Sequence, residues 1–519
     1  AGKSSWEESI LECKLDVPNS LRFCFLHYGE VDFMKNNSFL VNIAIEKIRL
    51  ESFLRAQNKG ETMDDPLFAI SAIDGRYAVE TFPLREYMGE AALMRERVQV
   101  EIEYLISLSE EEEISLELSE EEMKALRKVY VDFGESDARM VKEIERKGYK
   151  EYKATNHDVK AIEYFLREKT PGKIHPWIHF GLTSEDVTNI AYRILVKGSM
   201  EEILIPAINA VKDEIEKLAI GWRDTPMLSL THGQPATPTT FGKEMAIYAS
   251  RLNQMQREIE HSTGELVGKM SGASGNYAAQ VVAIPGVDWP EVSKKVVGKL
   301  GFKQIPLTTQ INPGDDLAIL FSMIQIVNQI IIDLNRDMWM YISNKQITLR
   351  KNEAETGSST MPHKVNPIEF ENAEGNLGKA NSDLKFLSET ITVSRLQRDL
   401  ISSTVKRNIG SAFAHCLLGY CKTKEGLAKI EPDEKKMIES LSENVEILGE
   451  AYQTILRREG YQDAYEILKS ETRGKNITME ELHRMVDRLE IEDVGREELK
   501  DLVPQRYFGL AGELVDEIR

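Results

Sequence analysis

The most regular hydrophobic pattern in the chain runs from residue 317 to residue 341. Spacings of three and four alternate there without a slip, at Leu317, Leu320, Ile324, Val327, Ile331, Leu334, Met338 and Tyr341. This pattern predicts one long helix with an apolar stripe that packs in a helix bundle. At about 1.5 Å of rise per residue, the helix is long enough to cross a domain. Because one chain could hardly cover the whole stripe, we expect several subunits to assemble the bundle.

The remaining pattern predicts an all-α protein with a central long-helix bundle at residues 177–430. A helical N-terminal domain is expected at 63–176, and shorter helices alternating with turns predict a C-terminal helical domain at 431–519. Residues 1–62 are set apart as an extension of unknown role. It could be a leader, a lineage-specific cap or a segment foreign to the natural protein, and the sequence leaves these alternatives open.

Local signals predict three details of the N-terminal domain. One helix should run from about Glu86 to Leu108. The acidic runs at 110–113 and 120–122 should be solvated helix starts rather than a metal site. A helix over 159–169 should be capped by Asn156 or Thr155, which would leave His157 in its first turn, where free backbone N–H groups attract anions.

Composition and charge restrict the class of protein. Of 519 residues, 42% are hydrophobic and 29% charged, which is typical of a globular protein with a large core. No run reaches the ~18 consecutive apolar residues of a membrane span, and the net charge of −20 argues against nucleic acid, so neither partner is expected. Four cysteines are too few for a disulfide framework, and Cys416 and Cys421 have no second close pair to complete a zinc site. We therefore expect a reducing intracellular setting without structural metal.

One loop, residues 357–367, concentrates the chemistry of the chain: Gly-Ser-Ser-Thr-Met-Pro-His-Lys-Val-Asn-Pro. Its prolines and its small hydroxyl residues prevent a helix. The serine hydroxyls could act as base or anion donor, and the Lys-x-Asn pair is suited to a carboxylate. A polar loop of this kind between long helices is typical of a functional site, although a serine-rich surface linker is the alternative.

This loop resembles the signature of the fumarase/aspartase superfamily. With residues 368–372, Ile-Glu-Phe-Glu-Asn, it is similar to the signature of the bacterial adenylosuccinate lyase family. The resemblance covers about residues 68–519. It implies elimination of fumarate from adenylosuccinate, giving AMP, and from the succinyl-carboxamide ribotide SAICAR, giving AICAR. It also implies a cytoplasmic homotetramer with active sites shared between subunits and with no cofactor.

A second block, residues 231–242, holds His232 on a rigid loop before a helix predicted to start near Thr239. A lone histidine is more often structural. A histidine held in this way is also suited to general acid catalysis, because its charge is adjustable near neutral pH. The resemblance gives His232 the role of donating a proton to the leaving nitrogen, with His157 in support.

The run Thr183-Ser184-Glu185-Asp186 has two explanations. A capping box, with a hydroxyl cap and acids in the first turn, accounts for it structurally. Two hydroxyls at a helix N-terminus can also bind a carboxylate. The resemblance assigns them to the succinyl group of the substrate.

The resemblance assigns the remaining site residues one by one. Ser358 would be the general base, and Lys364 and Asn366 would bind the carboxylate that takes up the charge of the carbanion. The nucleotide phosphate would contact Arg76, Tyr77, Arg398, Ser403 and Arg407. The other predicted substrate contacts are Asp158, Gln310, Ser359 and Met361.

Two alternatives to this function exist. One is a sister lyase of the superfamily: argininosuccinate lyase, fumarase or aspartase. His363 and the Arg398/Arg407 segment favour the purine nucleotide instead. The other is a non-catalytic structural protein on the same scaffold, against which the presence of Ser358 and His232 argues.

Overall fold

The structure, a computed structural model, describes residues 69–350, 361, 365–472 and 477–518. The predicted extension at 1–62 lies outside these residues, as do Ser358, Ser359, His363 and Lys364.

The N-terminal part packs around one buried helix, α3. In chain order its helices are α1 (Ala78–Thr81), α2 (Arg85–Met88), α3 (Glu90–Leu108), α4 (Glu120–Val131), α5 (Glu135–Arg146) and α6 (Asp158–Lys169). A two-stranded hairpin, β1 (Gly148–Tyr149) and β2 (Tyr152–Lys153), joins α5 to α6. The apolar side chains of α3 that face the core include Val98, Ile102 and Leu105, all fully buried.

The central part supplies the long helices. They are α7 (Ser184–Ser199), α8 (Ile205–Gly221), α9 (Phe241–Gly264), α10 (Ala278–Ala283), α11 (Trp289–Lys299), α12 (Asp315–Ser343), α13 (Ile368–Ile391), α14 (Ile401–Lys406) and α15 (Ile409–Leu427). Short strands connect them: β3 (Pro226–Met227), β4 (Leu230–Thr231), β5 (Gln234–Pro235), β6 (Thr239–Thr240), β7 (Val267–Gly268), β8 (Lys303–Gln304) and β9 (Ile347–Leu349). Only β7 and β8 pair in parallel among these described strands.

Five of these helices form a closed ring: α8 packs on α9, α9 on α12, α12 on α13, α13 on α15 and α15 on α8. The predicted stripe on α12 lies inside this ring. Its positions from Leu317 to Met338 are buried within this one chain, and only Tyr341 at its end is partly exposed. The expectation that one chain could hardly cover the stripe is therefore wrong. The predicted all-α fold with a central long-helix bundle is therefore confirmed.

Among the described residues, α12 is also the one helix that is long and apolar enough to cross a membrane, with a mean hydropathy of 1.9 over its most apolar window. Within this fold, 56% of that window is buried. Helices α9 and α13 flank α12. Its hydrophobicity therefore agrees with a place in the core of the bundle.

The C-terminal part is built from short helices around a second core. After β10 (Ile430–Pro432), which pairs with β9, come α16 (Glu434–Ser442), α17 (Gly449–Arg458), α18 (Ala464–Thr472), α19 (Met479–Asp487), α20 (Asp493–Asp501) and α21 (Ala511–Leu514). The second core includes Leu448, Tyr452, Leu456 and Leu482, all fully buried. The chain then returns to the bundle, where Val515 and Ile518 join the main core.

Two predictions for the segment from 86 to 122 need correction. Helix α3 begins at Glu90 rather than near Glu86, because Gly89 is extended (ψ 158°) and separates α3 from the single turn of α2. The acidic run at 120–122 does start a helix, capped by Ser119. The run at 110–113 does not: it forms a loop after α3, where Lys299 and Lys295 of α11 pair with its first carboxylates.

The cap of α6 is also not the one predicted. Asn156 takes a left-handed backbone conformation (φ 48°), and the hydroxyl of Thr155 is used by the backbone of His157. His157 is itself the N-cap, because its Nδ1 accepts from the backbone N–H of Lys160 over 3.2 Å.

Candidate active site

A polar cleft of about 580 Å³ opens where the N-termini of α6 and α7 meet α14. Its walls come from α3, α5, α6, α7 and the segment around α14. The polar lining residues are Glu90, Arg97, Lys142, Glu145, Arg146, Asn156, His157, Asp158, Ser184, Thr188, Tyr192, Arg398, Ser403, Thr404 and Arg407. Glu90 and Glu145 both pair with Lys142. Two helix N-termini and several guanidinium groups at one place favour an anionic ligand, although the net charge of the chain is −20.

At one wall of the cleft, His157 starts α6 with a half-exposed imidazole. Because Nδ1 accepts from the backbone N–H of Lys160, that nitrogen carries no proton in this arrangement. Nε2 then carries the proton of the neutral ring. His157 is thereby set up as a donor through Nε2.

Asp158 anchors the cationic side of the cleft. Its Oδ2 lies 2.9 Å from Arg97 NH1 and accepts from Arg407 NH2 over 3.1 Å. Burial acts to raise the pKa of Asp158, but Arg97 outweighs it and holds this pKa below its ordinary value. Asp158 therefore stays ionised and orients both guanidinium groups.

The N-terminus of α7 is held by a buried network. Thr183 is the N-cap, as predicted, and its backbone N–H donates to Asp186 Oδ2 over 2.8 Å. The other oxygen of Asp186 accepts from Lys269 Nζ over 2.6 Å and from the backbone of Ser271. Lys269 and Asp186 are both fully buried. Asp186 therefore ties the backbone at the N-terminus of α7 to the turn at 271–272.

Glu185 contacts the cationic side chains of the segment around α14. It is buried, accepts from Lys406 Nζ over 3.0 Å and lies 3.8 Å from Arg398 NH2. Arg398 donates to Gln310 Oε1 over 3.1 Å and contacts the hydroxyl of Ser403 at 3.5 Å. Gln310, which was predicted separately, thus forms one connected group with Arg398 and Ser403.

Other predicted residues lie elsewhere in the described structure. Arg76 and Tyr77 do not line the cleft; the hydroxyl of Tyr77 accepts from Asn372 over 3.1 Å. Met361 is exposed and Asn366 partly buried. The catalytic candidates Ser358 and Lys364, and Ser359, lie outside the described residues.

His232 is also absent from the described lining of the cleft. It sits at the exposed tip of the hairpin formed by β4 and β5, with φ 55°, followed by Gly233 with φ 72°. Two successive left-handed residues make the tight turn that suits such a hairpin. Within one chain, His232 is therefore not part of the cleft that His157 lines.

Sequence reasoning missed Arg97, Thr188 and Tyr192. Arg97 donates through Nε to Thr188 Oγ1 over 3.2 Å. The sequence contains a signal for Arg97, because it lies four residues before Glu101 on the otherwise apolar face of α3. Charged groups on a buried stripe are uncommon and call for partners.

The fold and the cleft define a class of helical enzymes, and the comparisons agree. Residues 75–381 match the family described as Lyase. Two solved structures share the fold: a fumarate lyase from Mesorhizobium (TM-score 0.68, 19% identity, 84% of this chain and 96% of that one) and the 3-carboxy-cis,cis-muconate lactonizing enzyme from Pseudomonas putida (TM-score 0.65, 18% identity, 84% and 95%). The different names of these two show that the fold alone does not fix the reaction.

The C-terminal part and the sequence relatives narrow the class. Residues 394–508 match the family described as Adenylosuccinate lyase C-terminal. The chain is 41% identical to the adenylosuccinate lyase of Haemophilus influenzae over 459 residues, covering 87% of this chain and 99% of that protein. It is 43% identical to that of Dictyostelium discoideum over 459 residues, covering 86% and 97%. The chain belongs to the adenylosuccinate lyase family.

Proposed function

We propose that the protein eliminates fumarate from adenylosuccinate, leaving AMP, and from SAICAR, leaving AICAR. The observation that carries this proposal is the cleft, whose lining combines the guanidinium groups of Arg398 and Arg407 with the N-terminus of α7. Cationic groups and a helix N-terminus in one cleft suit a substrate that carries both a phosphate and a dicarboxylate. Family membership supplies the reaction class.

In the proposed mechanism, Ser358 removes a proton from the succinyl carbon next to a carboxylate. The electron pair passes into that carboxylate, which Lys364 and Asn366 stabilise. The C–N bond then breaks with its electrons on nitrogen, and His232 protonates the nitrogen. A serine is a poor base at its ordinary pKa, so its ionisation depends on closure of the loop at 357–367.

We propose that the phosphate is bound by Arg398, Ser403 and Arg407, and the succinyl group by Thr183 and Ser184. His157 assists through Nε2. Arg76 and Tyr77 complete the phosphate site only if the assembled protein brings them to it, because the described cleft does not include them.

The position of His232 supports a shared active site. The histidine is exposed on a hairpin that does not contribute to the described cleft of its own chain. We infer that it completes the site of another subunit in a cytoplasmic homotetramer. The exposed apolar side chains on the outer face of the bundle, Ile319, Ile326 and Met340 of α12, support such an assembly.

The test is an ultraviolet assay of the purified full chain with adenylosuccinate, following AMP and fumarate. Turnover is the expected result. If adenylosuccinate is inert while argininosuccinate or malate reacts, the protein is a sister lyase and the proposal is wrong. Inactivity with all three substrates would also reject it.

A further inference from the structure

The hairpin that carries His232 is tied at its base to the C-terminal helices. Its strands pair through Leu230 with Pro235 and Thr231 with Gln234, and the backbone N–H of Ala236 donates to the carbonyl of Ser229 over 3.0 Å. The tip beyond them is exposed. The direction in which His232 points is therefore set at the base of the hairpin.

One carboxylate at that base joins the two parts of the chain. Thr237 Oγ1 donates to Glu450 Oε2 over 2.6 Å, and the hydroxyl of Tyr507 donates to the same oxygen over 3.1 Å. Ser229 Oγ donates to the carbonyl of Thr237, so both arms of the hairpin meet at this point. We call Thr237, Glu450 and Tyr507 the hairpin clamp.

The clamp is anchored on its C-terminal side. Glu450 is in the first turn of α17, and the ring of Tyr507 packs against the second core. Burial raises the pKa of Tyr507 to about 12, with a further contribution from Glu450. The phenol therefore remains a donor over the range of an enzyme assay.

Below the clamp, a separate set of contacts carries the packing. Leu228 forms a small buried cluster with Leu441 and Ile447. Thr225 Oγ1 donates to Glu434 Oε1 over 3.3 Å. Because these contacts do not use Glu450, loss of the clamp should change the direction of the hairpin more than the stability of the fold.

We propose that Glu450 is a positioning residue for the elimination reaction, and that with Thr237 and Tyr507 it aims the hairpin so that His232 reaches the leaving nitrogen. This rests on the proposed function, since it assumes His232 as the acid. Charged acceptors form hydrogen bonds about twice as strong as neutral ones, so one carboxylate oxygen with two hydroxyl donors is well suited to orient a loop. Misplacement of a catalytic group by about 1 Å can cost up to a hundredfold in rate.

The test compares variants of the full chain with wild type by steady-state kinetics. Glu450→Ala should lower kcat about tenfold while KM stays within about twofold, because only a transition-state interaction is lost. Glu450→Gln should restore most of kcat, since its amide oxygen accepts the same two hydroxyls. Glu443→Ala removes an exposed carboxylate just after α16 and is the matched control, with wild-type kinetics expected.

Thr237→Val removes the hydroxyl that donates to Glu450 and so breaks the clamp from the hairpin side. It shows whether a loss of activity in Glu450→Ala comes from the clamp or from impaired folding. A fall in kcat with an unchanged melting temperature in both Glu450→Ala and Thr237→Val supports the proposal. Wild-type kcat in Glu450→Ala, an equal loss in Glu450→Gln, or a loss that always accompanies a lower melting temperature overturns it.

If wild type does not turn over adenylosuccinate, the proposed function is wrong, whatever the role of the clamp. The clamp is then judged by amide hydrogen exchange of residues 229–240. Faster exchange in Glu450→Ala than in Glu443→Ala supports the clamp as a structural device, and equal exchange rejects it.

Discussion

Arg407 donates a hydrogen bond to Asp158 across the cleft, over 3.1 Å, and so joins residues 249 positions apart. Arg97 approaches the same carboxylate oxygen at 2.9 Å. One anionic anchor therefore holds two guanidinium groups in place before any substrate arrives. Preorganised cations of this kind bind a phosphate without the cost of ordering their side chains.

Replacing Arg407 should weaken substrate binding. In Arg407→Met, loss of a charge-assisted hydrogen bond of about 1.5–3 kcal/mol should raise KM for adenylosuccinate about 10- to 100-fold with a smaller effect on kcat. Arg395→Met is the control, because Arg395 is exposed and pairs with Asp399. Steady-state kinetics measures both, and equal KM values for the two variants would contradict the assignment of Arg407.

A mixture of two inactive variants should regain activity if His232 serves another subunit. His232→Gln and Ser358→Ala are each expected to be inactive. When their subunits are exchanged by co-expression, some sites combine an intact histidine with an intact serine, so part of the activity should return. Each variant mixed with itself is the control. No recovery, with mixed oligomers demonstrated, would count against shared sites.

The stability of the fold should fall as pH rises through the titration of His179. Burial on its own would lower the pKa of this histidine, but Glu101, whose Oε1 is 2.5 Å from Nδ1, raises it from 6.5 to about 8. Glu163 and Asp186 act in the same direction. The pair of His179 and Glu101 therefore contributes fully to the free energy of unfolding below pH 6.5. This contribution is lost as pH rises toward 8. The pKa shift corresponds to about 2 kcal/mol.

Urea unfolding of wild type and His179→Gln at pH 6 and pH 9, at one protein concentration, checks this prediction. Wild type should lose about 2 kcal/mol more than the variant between the two pH values. Other titrating groups contribute equally to both proteins, so their effect cancels in this comparison. An equal loss in both proteins would show that the pair does not titrate in this range.

The sequence predicted what depends on near neighbours in the chain. The stripe from Leu317 to Met338 follows from helical periodicity, and the cap at Thr183 follows from a four-residue pattern. Both are local signals, and both are confirmed by the structure.

The features that the sequence did not predict depend on unusual backbone conformations or on residues far apart in the chain. The hairpin at His232 requires a left-handed histidine, a conformation that asparagine and glycine adopt more readily than histidine. His157 became a cap because Asn156 adopted another left-handed turn. The joining of Asp158 to Arg97 and Arg407 is a tertiary arrangement, for which no short pattern exists.

The buried pair of Lys269 and Asp186 allows a direct test of the hydrogen-bond network that holds the N-terminus of α7 to the turn at 271–272. Both side chains are fully buried and 2.6 Å apart, and Lys269 Nζ also donates to the carbonyl of Gly272 over 2.6 Å. In Lys269→Met, Asp186 keeps its backbone donors but loses its cation. Breaking a buried pair in this way should lower the free energy of unfolding by about 3–5 kcal/mol. Adding Asp186→Asn to Lys269→Met should recover part of the loss, because it removes the uncompensated charge.

The control for this pair is Lys303→Met, which breaks the exposed pair with Glu265 and should cost at most about 1 kcal/mol. Urea unfolding of the four proteins at one concentration gives the differences. A cost in Lys269→Met no larger than in Lys303→Met would mean that the network is held by the backbone hydrogen bonds to Asp186 alone. The KM of Lys269→Met for adenylosuccinate should rise with the loss of stability, since the backbone at the N-terminus of α7 and the turn at 271–272 are both hydrogen-bonded to Asp186.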